Sequence, residues 1–169
     1  MVSASRGEFD RLLAANDRYA ESFEHSSLTA VPLRGLVIVT CMDARLDVLR
    51  ALGLEMGDAH IIRNAGGLAT DDVIRSLIVS QQLLGTHEIV VIGHTGCGLI
   101  GADEDALRDR MVSETGEALH IAFGSFDDLD ASVQASVERL RTHAWLKRVP
   151  VHGLVFDVAT GRLREVTPA

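Results

Sequence analysis

The chain of 169 residues has only two cysteines, so no disulfide framework can carry its fold. It has no apolar run long enough for a membrane span, and a spanning helix is not expected. It has no basic excess either. Sixteen Lys and Arg stand against 24 Asp and Glu, a net charge of −8, which argues against nucleic acid as a partner because phosphate binding needs a basic face. Residues 1–11 show no apolar core after a basic start, so a secretory signal is not expected and reduced thiols in a cytoplasm are. Aromatic residues make up 4%, and Trp145 and Tyr19 are too isolated to form a stacking platform. No repeat, low-complexity tract or linker interrupts the chain, and no G-x-x-x-x-G-K-[ST] phosphate loop occurs. What is left is an ordinary globular balance, 47% hydrophobic and 24% charged, suited to one domain with a sizeable core and a small ligand.

The pattern of what is present is α/β. A short continuous apolar run at 36–40 reads as a strand covered on both faces, 88–92 reads as another apolar strand, and 59–63 and 151–158 read as further strands. Between them the spacing predicts helices over 46–52, 70–84, 103–115 and 127–142. Thr70 is placed to cap the second of these, with Asp71 and Asp72 in its first turn, and Gly53, Gly85 and Gly116 are placed as helix stops. Residues 117–126 have no period and read as loop. Residues 162–166 return after an Ala159-Thr160-Gly161 turn as an edge strand. Alternating strands and helices imply βαβ units, hence a mainly parallel central sheet flanked by helices with an added C-terminal edge strand. A further helix over 8–24 carries only a thin apolar stripe of Phe9, Leu12, Leu13, Ala20 and Phe23, as fits either a helix on its own domain or one docking on a partner chain.

Both cysteines sit where an apolar run breaks into loop: Cys41 opens Cys41-Met42-Asp43-Ala44-Arg45, and Cys97 closes His94-Thr95-Gly96-Cys97. If the strands of 36–40 and 88–92 are neighbours, Cys41, His94 and Cys97 converge beyond the carboxyl ends of a parallel sheet, where such folds bind ligands. Two soft thiolates and an imidazole favour Zn²⁺ over Mg²⁺ or Ca²⁺, and three protein ligands leave a tetrahedral ion one open position, the mark of a catalytic site. A Cys41–Cys97 disulfide competes with this reading but leaves His94 and Asp43 unexplained. Asp43 has two options: to ligate the metal itself, or to pair with the planar fork of Arg45 and accept a hydrogen bond from a metal-bound water. Arg63, just past a strand, is expected in a structural ion pair. Gly66 and Gly67 are expected to provide close backbone packing. His25, His60, His87, His120, His143 and His152 are expected to be surface or satisfied histidines, with residue type alone to suggest His120 as a proton shuttle.

With those residues assembled, the chain resembles the β-class carbonic anhydrases, specifically the short bacterial and archaeal kind. Cys41-Met42-Asp43-Ala44-Arg45 matches the C-x-D-[SA]-R motif of that family, and His94-Thr95-Gly96-Cys97-Gly98 its H-x-x-C-G motif. Ile62 to Gly67 and Val155 to Gly161 are similar to further family segments, and the likeness runs from about Arg34 to Val166, weakest over 117–126. The resemblance implies reversible hydration of CO₂ to bicarbonate by a zinc-bound hydroxide. It implies Cys41, His94 and Cys97 as zinc ligands, Asp43 and Arg45 as a catalytic dyad, and Gly66 beside the substrate. It divides the chain into an N-terminal helical arm, 1–33, and a zinc domain, 34–169, and implies a homodimer or higher homo-oligomer in which the arm embraces a partner subunit. Some relatives on this scaffold instead hydrolyse carbonyl sulfide or carbon disulfide, which the motifs do not separate from CO₂ hydration; a non-catalytic zinc protein with Asp43 as fourth ligand is the third reading. This chain departs from short-form members that carry His at the position of Gly93 and Asp at that of Gly96.

Overall fold

Strand β1 (Leu36–Cys41) is the centre from which the architecture grows; its Val37, Ile38 and Val39 are fully buried, as β-branched side chains on both faces of a pleated strand require. The structure, a computed structural model, describes residues 7–166. From β1 the chain passes through α2 (Val48–Leu52) to β2 (Ala59–Asn64), and a tight turn (Ala65–Gly67) leads into α3 (Asp71–Gln82) and β3 (Glu88–His94). Helices α4 (Glu104–Thr115) and α5 (Leu129–Thr142) precede β4 (Val151–Phe156) and the short β5 (Leu163–Glu165), while α1 (Glu8–Glu21) precedes them all. The sheet order is β2-β1-β3-β4-β5, with β1 to β4 parallel and β5 antiparallel at the edge. The expected mainly parallel sheet with a returning edge strand is therefore present.

The two faces are covered unequally. On one, Val37 and Val39 of β1, Ile89 and Val91 of β3 and Val151 and Val155 of β4 pack under Val73, Ile74 and Leu77 of α3 and Val133, Val137 and Leu140 of α5. Each of these side chains contributes roughly 1.5–3 kcal/mol by leaving water. Helix α5 lies close because β3 and β4 offer glycine beneath it: a Cβ on Gly93 would sit 2.7 Å from Val133 Cγ2, and one on Gly153 2.9 Å from Val133 Cγ1. Space thus accounts for the missing side chain at Gly93. On the other face Ile38 and Ile92 form a smaller buried cluster with Leu46, Val48 and Leu54 around the one-and-a-half turns of α2, and Leu36, Leu49, Leu52, Ile61, Val90, Leu154 and Phe156 pack against it half-buried.

Caps follow the sequence signals. Thr70 accepts from the Val73 amide, and Gly53 and Gly116 close α2 and α4 in left-handed geometry. Helix α3, however, ends at Gln82 with Leu83 as cap, and Gly85 shapes the following turn rather than the helix end. Helix α1 buries no residue; Phe9, Leu12 and Leu13 are exposed, and Tyr19 reaches the body through Met56. Among the described residues no helix is long and apolar enough to cross a membrane.

Candidate metal centre

The chain runs from β1 to β2 on one side and to β3 on the other, so the order of strands reverses between β1 and β3, and a crevice opens beyond their carboxyl ends. Cys41 ends β1, His94 ends β3, and Cys97 follows three residues on. The ligand atoms of Cys41, His94 and Cys97 all lie within 4.8 Å of one another, and the three side chains are buried. Both cysteines are free thiols, which removes the disulfide alternative.

The imidazole is set up as a ligand. His94 Nδ1 lies 3.0 Å from the Thr95 carbonyl oxygen, which can only accept, so Nδ1 carries the proton and Nε2 presents its lone pair. That Nε2 is buried without a hydrogen-bond partner. An orphaned acceptor costs free energy unless something outside the protein chain satisfies it. With two thiols beside it, a thiophilic cation such as zinc fits the donor set. Burial pushes the Cys97 thiol up, opposed by the Leu99 amide, and an ion that neutralises the thiolates reverses that burial penalty.

Asp43 is paired with Arg45. Arg45 binds it with a fork, Nε to Oδ1 at 2.9 Å and Nη2 to Oδ2 at 2.7 Å, and the Arg45 amide adds a third bond to Oδ1. Those hydrogen bonds hold the Asp43 carboxyl far below the usual carboxylate range, and they raise Arg45 in turn. Arg45 Nη2 also donates to the Gly96 carbonyl at 2.9 Å, tying the two metal loops together. Gly96 shows that carbonyl by adopting φ +62°, a left-handed turn that glycine takes without steric cost. Asp43 Oδ2 lies 3.8 Å from His94 Nε2, so the carboxylate borders the space that the three ligand atoms surround.

One support of the site, Arg63, was not visible in the sequence in the role it takes. Arg63 forms no ion pair among the described residues. It donates to three carbonyls of the first metal loop instead: Cys41 at 2.9 Å, Asp43 at 2.6 Å and Leu46 at 3.2 Å. Its position opposite Thr40 in the β1–β2 register places the guanidinium beside that loop, and register is a tertiary fact. Gly67 lies over the seam of β1 and β3, where a Cβ would meet Cys41 N at 2.9 Å and Ile92 O at 3.2 Å. The expectation of close backbone packing therefore holds at Gly67. Gly66 is buried against Leu68 and Leu99. Of the other histidines, His60 is satisfied by Ser80 and the Ala30 carbonyl, and His152 pairs with Glu88.

Comparison with known proteins agrees with this geometry. The family profile described as "Carbonic anhydrase" matches residues 36–163. Beta-carbonic anhydrase 1 of Mycobacterium tuberculosis is 46% identical over 160 residues, covering 94% of this chain and 98% of the relative. A carbon disulfide hydrolase of Acidithiobacillus thiooxidans is 39% identical over 152 residues, 78% of this chain and 76% of that protein. The crystal structure of carbonic anhydrase from Streptococcus mutans superposes with a TM-score of 0.91 at 40% identity, covering 97% of this chain and 100% of that one. Fold, donor set and sequence together place this chain in the β-carbonic anhydrase family of zinc enzymes.

Proposed function

We propose that this chain catalyses the reversible hydration of CO₂ to bicarbonate, with Cys41, His94 and Cys97 as its zinc ligands. The observation that carries this reading is the buried, unpartnered Nε2 of His94 between two free thiols. Zinc held there supplies Lewis-acid chemistry that lowers the pKa of water and so provides a nucleophile near neutral pH. Asp43 orients that nucleophile. Both its oxygens are engaged by Arg45, which keeps it ionised, so it accepts a hydrogen bond without removing the proton itself. Arg45 is the positioning partner, and Gly66, packed closely against Leu68 and Leu99, is assigned to the substrate side of the site.

Hydrolysis of carbonyl sulfide or carbon disulfide at the same site is the second reading, favoured by the 39% identity to a carbon disulfide hydrolase. Stopped-flow CO₂ hydration and sulfide release from COS and CS₂, on protein verified to hold zinc, separate the two. Asp43→Asn is expected to keep its zinc and lose activity by about 10²-fold or more. Zinc content with no turnover of any of these substrates from neutral to alkaline pH would leave a non-catalytic metal protein.

The protein further works as a homodimer or higher oligomer in the cytoplasm. Supporting this are the exposed apolar stripe of α1, the half-covered second face of the sheet, and the free thiols. Removing residues 1–21 is expected to weaken the dimer in light scattering while the body stays folded, because α1 buries nothing in its own subunit.

A further inference from the structure

The segment between α4 and α5, residues 117–126, has no regular secondary structure, yet its second half is fastened by one side chain. Glu104, in the first turn of α4, accepts from the Ser125 amide at 2.7 Å and the Ser125 hydroxyl at 3.0 Å through Oε1, and from the Phe123 amide at 3.3 Å through Oε2. Arg108 completes the set at 2.6 Å and also lies over the Phe123 ring, 5.8 Å from its centroid. The carboxyl of Glu104 is held down to about 2, chiefly by the Ser125 amide. What this fastening holds in place pairs with the segment that follows Cys97. Phe126 exchanges hydrogen bonds with the strip that follows Cys97, its amide donating to Leu99 O at 3.2 Å and its carbonyl accepting from Gly101 N at 2.9 Å. A Cβ on Gly124 would lie 2.5 Å from Leu68 Cδ1, so the loop backbone presses directly on Leu68. Leu68 and Leu99 are the two side chains packed on Gly66.

We propose that Glu104 is a positioning residue that latches residues 123–126 onto the pocket wall, holding Leu68 and Leu99 against Gly66 and thereby setting how the substrate sits beside the metal. This rests on the CO₂-hydration reading for its substrate, though not for the latch itself. Glu104 touches none of Cys41, Asp43, Arg45, His94 or Cys97, so its loss disturbs the encounter with substrate rather than the generation of the nucleophile.

The test uses the zinc-loaded full chain as Glu104→Ala, with Glu104→Gln as a gentler variant that keeps one acceptor oxygen. Hydrogen exchange at the Phe123 and Ser125 amides is expected to rise by about tenfold or more, the scale of losing one charge-assisted hydrogen bond. One zinc per chain is retained. The kcat/KM for CO₂ is expected to fall by roughly tenfold while kcat stays within about twofold, a split that loss of active protein cannot produce. The Gln variant falls between. Unchanged amide exchange overturns the latch, and kcat falling in proportion with kcat/KM overturns the positioning role. A wild-type chain without CO₂ hydration would defeat the functional reading alone. The exchange arm would still decide the latch, and the same split would be read on COS or CS₂.

Discussion

Gly67→Ala tests whether the metal centre depends on two backbones lying closer than any side chain allows. The added methyl would meet Cys41 N at 2.9 Å, Thr40 C at 3.0 Å and Ile92 O at 3.2 Å, all backbone atoms of two central strands that cannot rotate away. Forcing such a contact costs about 1–3 kcal/mol. The left-handed φ of +68° adds roughly 1–2 kcal/mol for any residue with a Cβ. The sum, about 2–5 kcal/mol, is a large share of the ~5–15 kcal/mol by which domains are stable. Gly161→Ala is the internal control, since Gly161 has φ +72° but nothing within 4 Å of its Cβ position, so only the dihedral cost remains. Urea unfolding of both variants without metal gives the two costs free of ligand linkage. The strand shift that relieves the contact also moves Cys41 away from His94, so zinc affinity by chelator competition should fall by about tenfold or more in Gly67→Ala alone. If the two variants lose equal stability and both bind zinc like the wild type, the proposed contact does not constrain the site.

Further expectations follow from the same geometry. Cys97→Ser removes one of three ligands and should lose stoichiometric zinc in elemental analysis; full retention would refute the ligand set. Arg63→Lys cannot reach three carbonyls with one ammonium, so the loop of Cys41 to Leu46 loosens and zinc affinity should drop by about 10–100-fold in chelator competition, with the overall fold kept by circular dichroism. Glu104 is lowered from an ordinary 4.5 to about 2 in the folded protein. A carboxyl lowered on folding stabilises above its unfolded value, and that contribution fades as pH falls through the folded one. The stability advantage of wild type over Glu104→Gln in denaturant titrations should therefore be constant above about pH 5 and shrink between pH 4.5 and about 2. A growing advantage at low pH would contradict the sign.

Much of this protein was legible in one dimension because the signals are local. β-branched runs announced four strands, Thr70 announced the start of α3, and Cys-x-Asp-x-Arg with His-x-x-Cys announced the metal set by residue type and spacing. The end of α3 was not, because Leu83 caps the helix and Gly85 serves the turn beyond it. Other contacts needed the chain to fold back on itself. Whether β1 and β3 are neighbours is decided by sheet order, and with it whether Cys41 can reach His94 at all. Arg63 became a loop clamp rather than half of an ion pair only because the β1–β2 register sets it opposite Thr40. Glu104 fastens residues 19 and 21 positions away through backbone amides, and backbone donors are the same at every non-proline residue, so sequence carries no mark of which will be used. The sequence by itself determined which atoms could bind a metal and which segments could be strands. Tertiary structure alone decided which of them meet, since distance between residues remote in the chain follows from register and packing, not from the identity of either one.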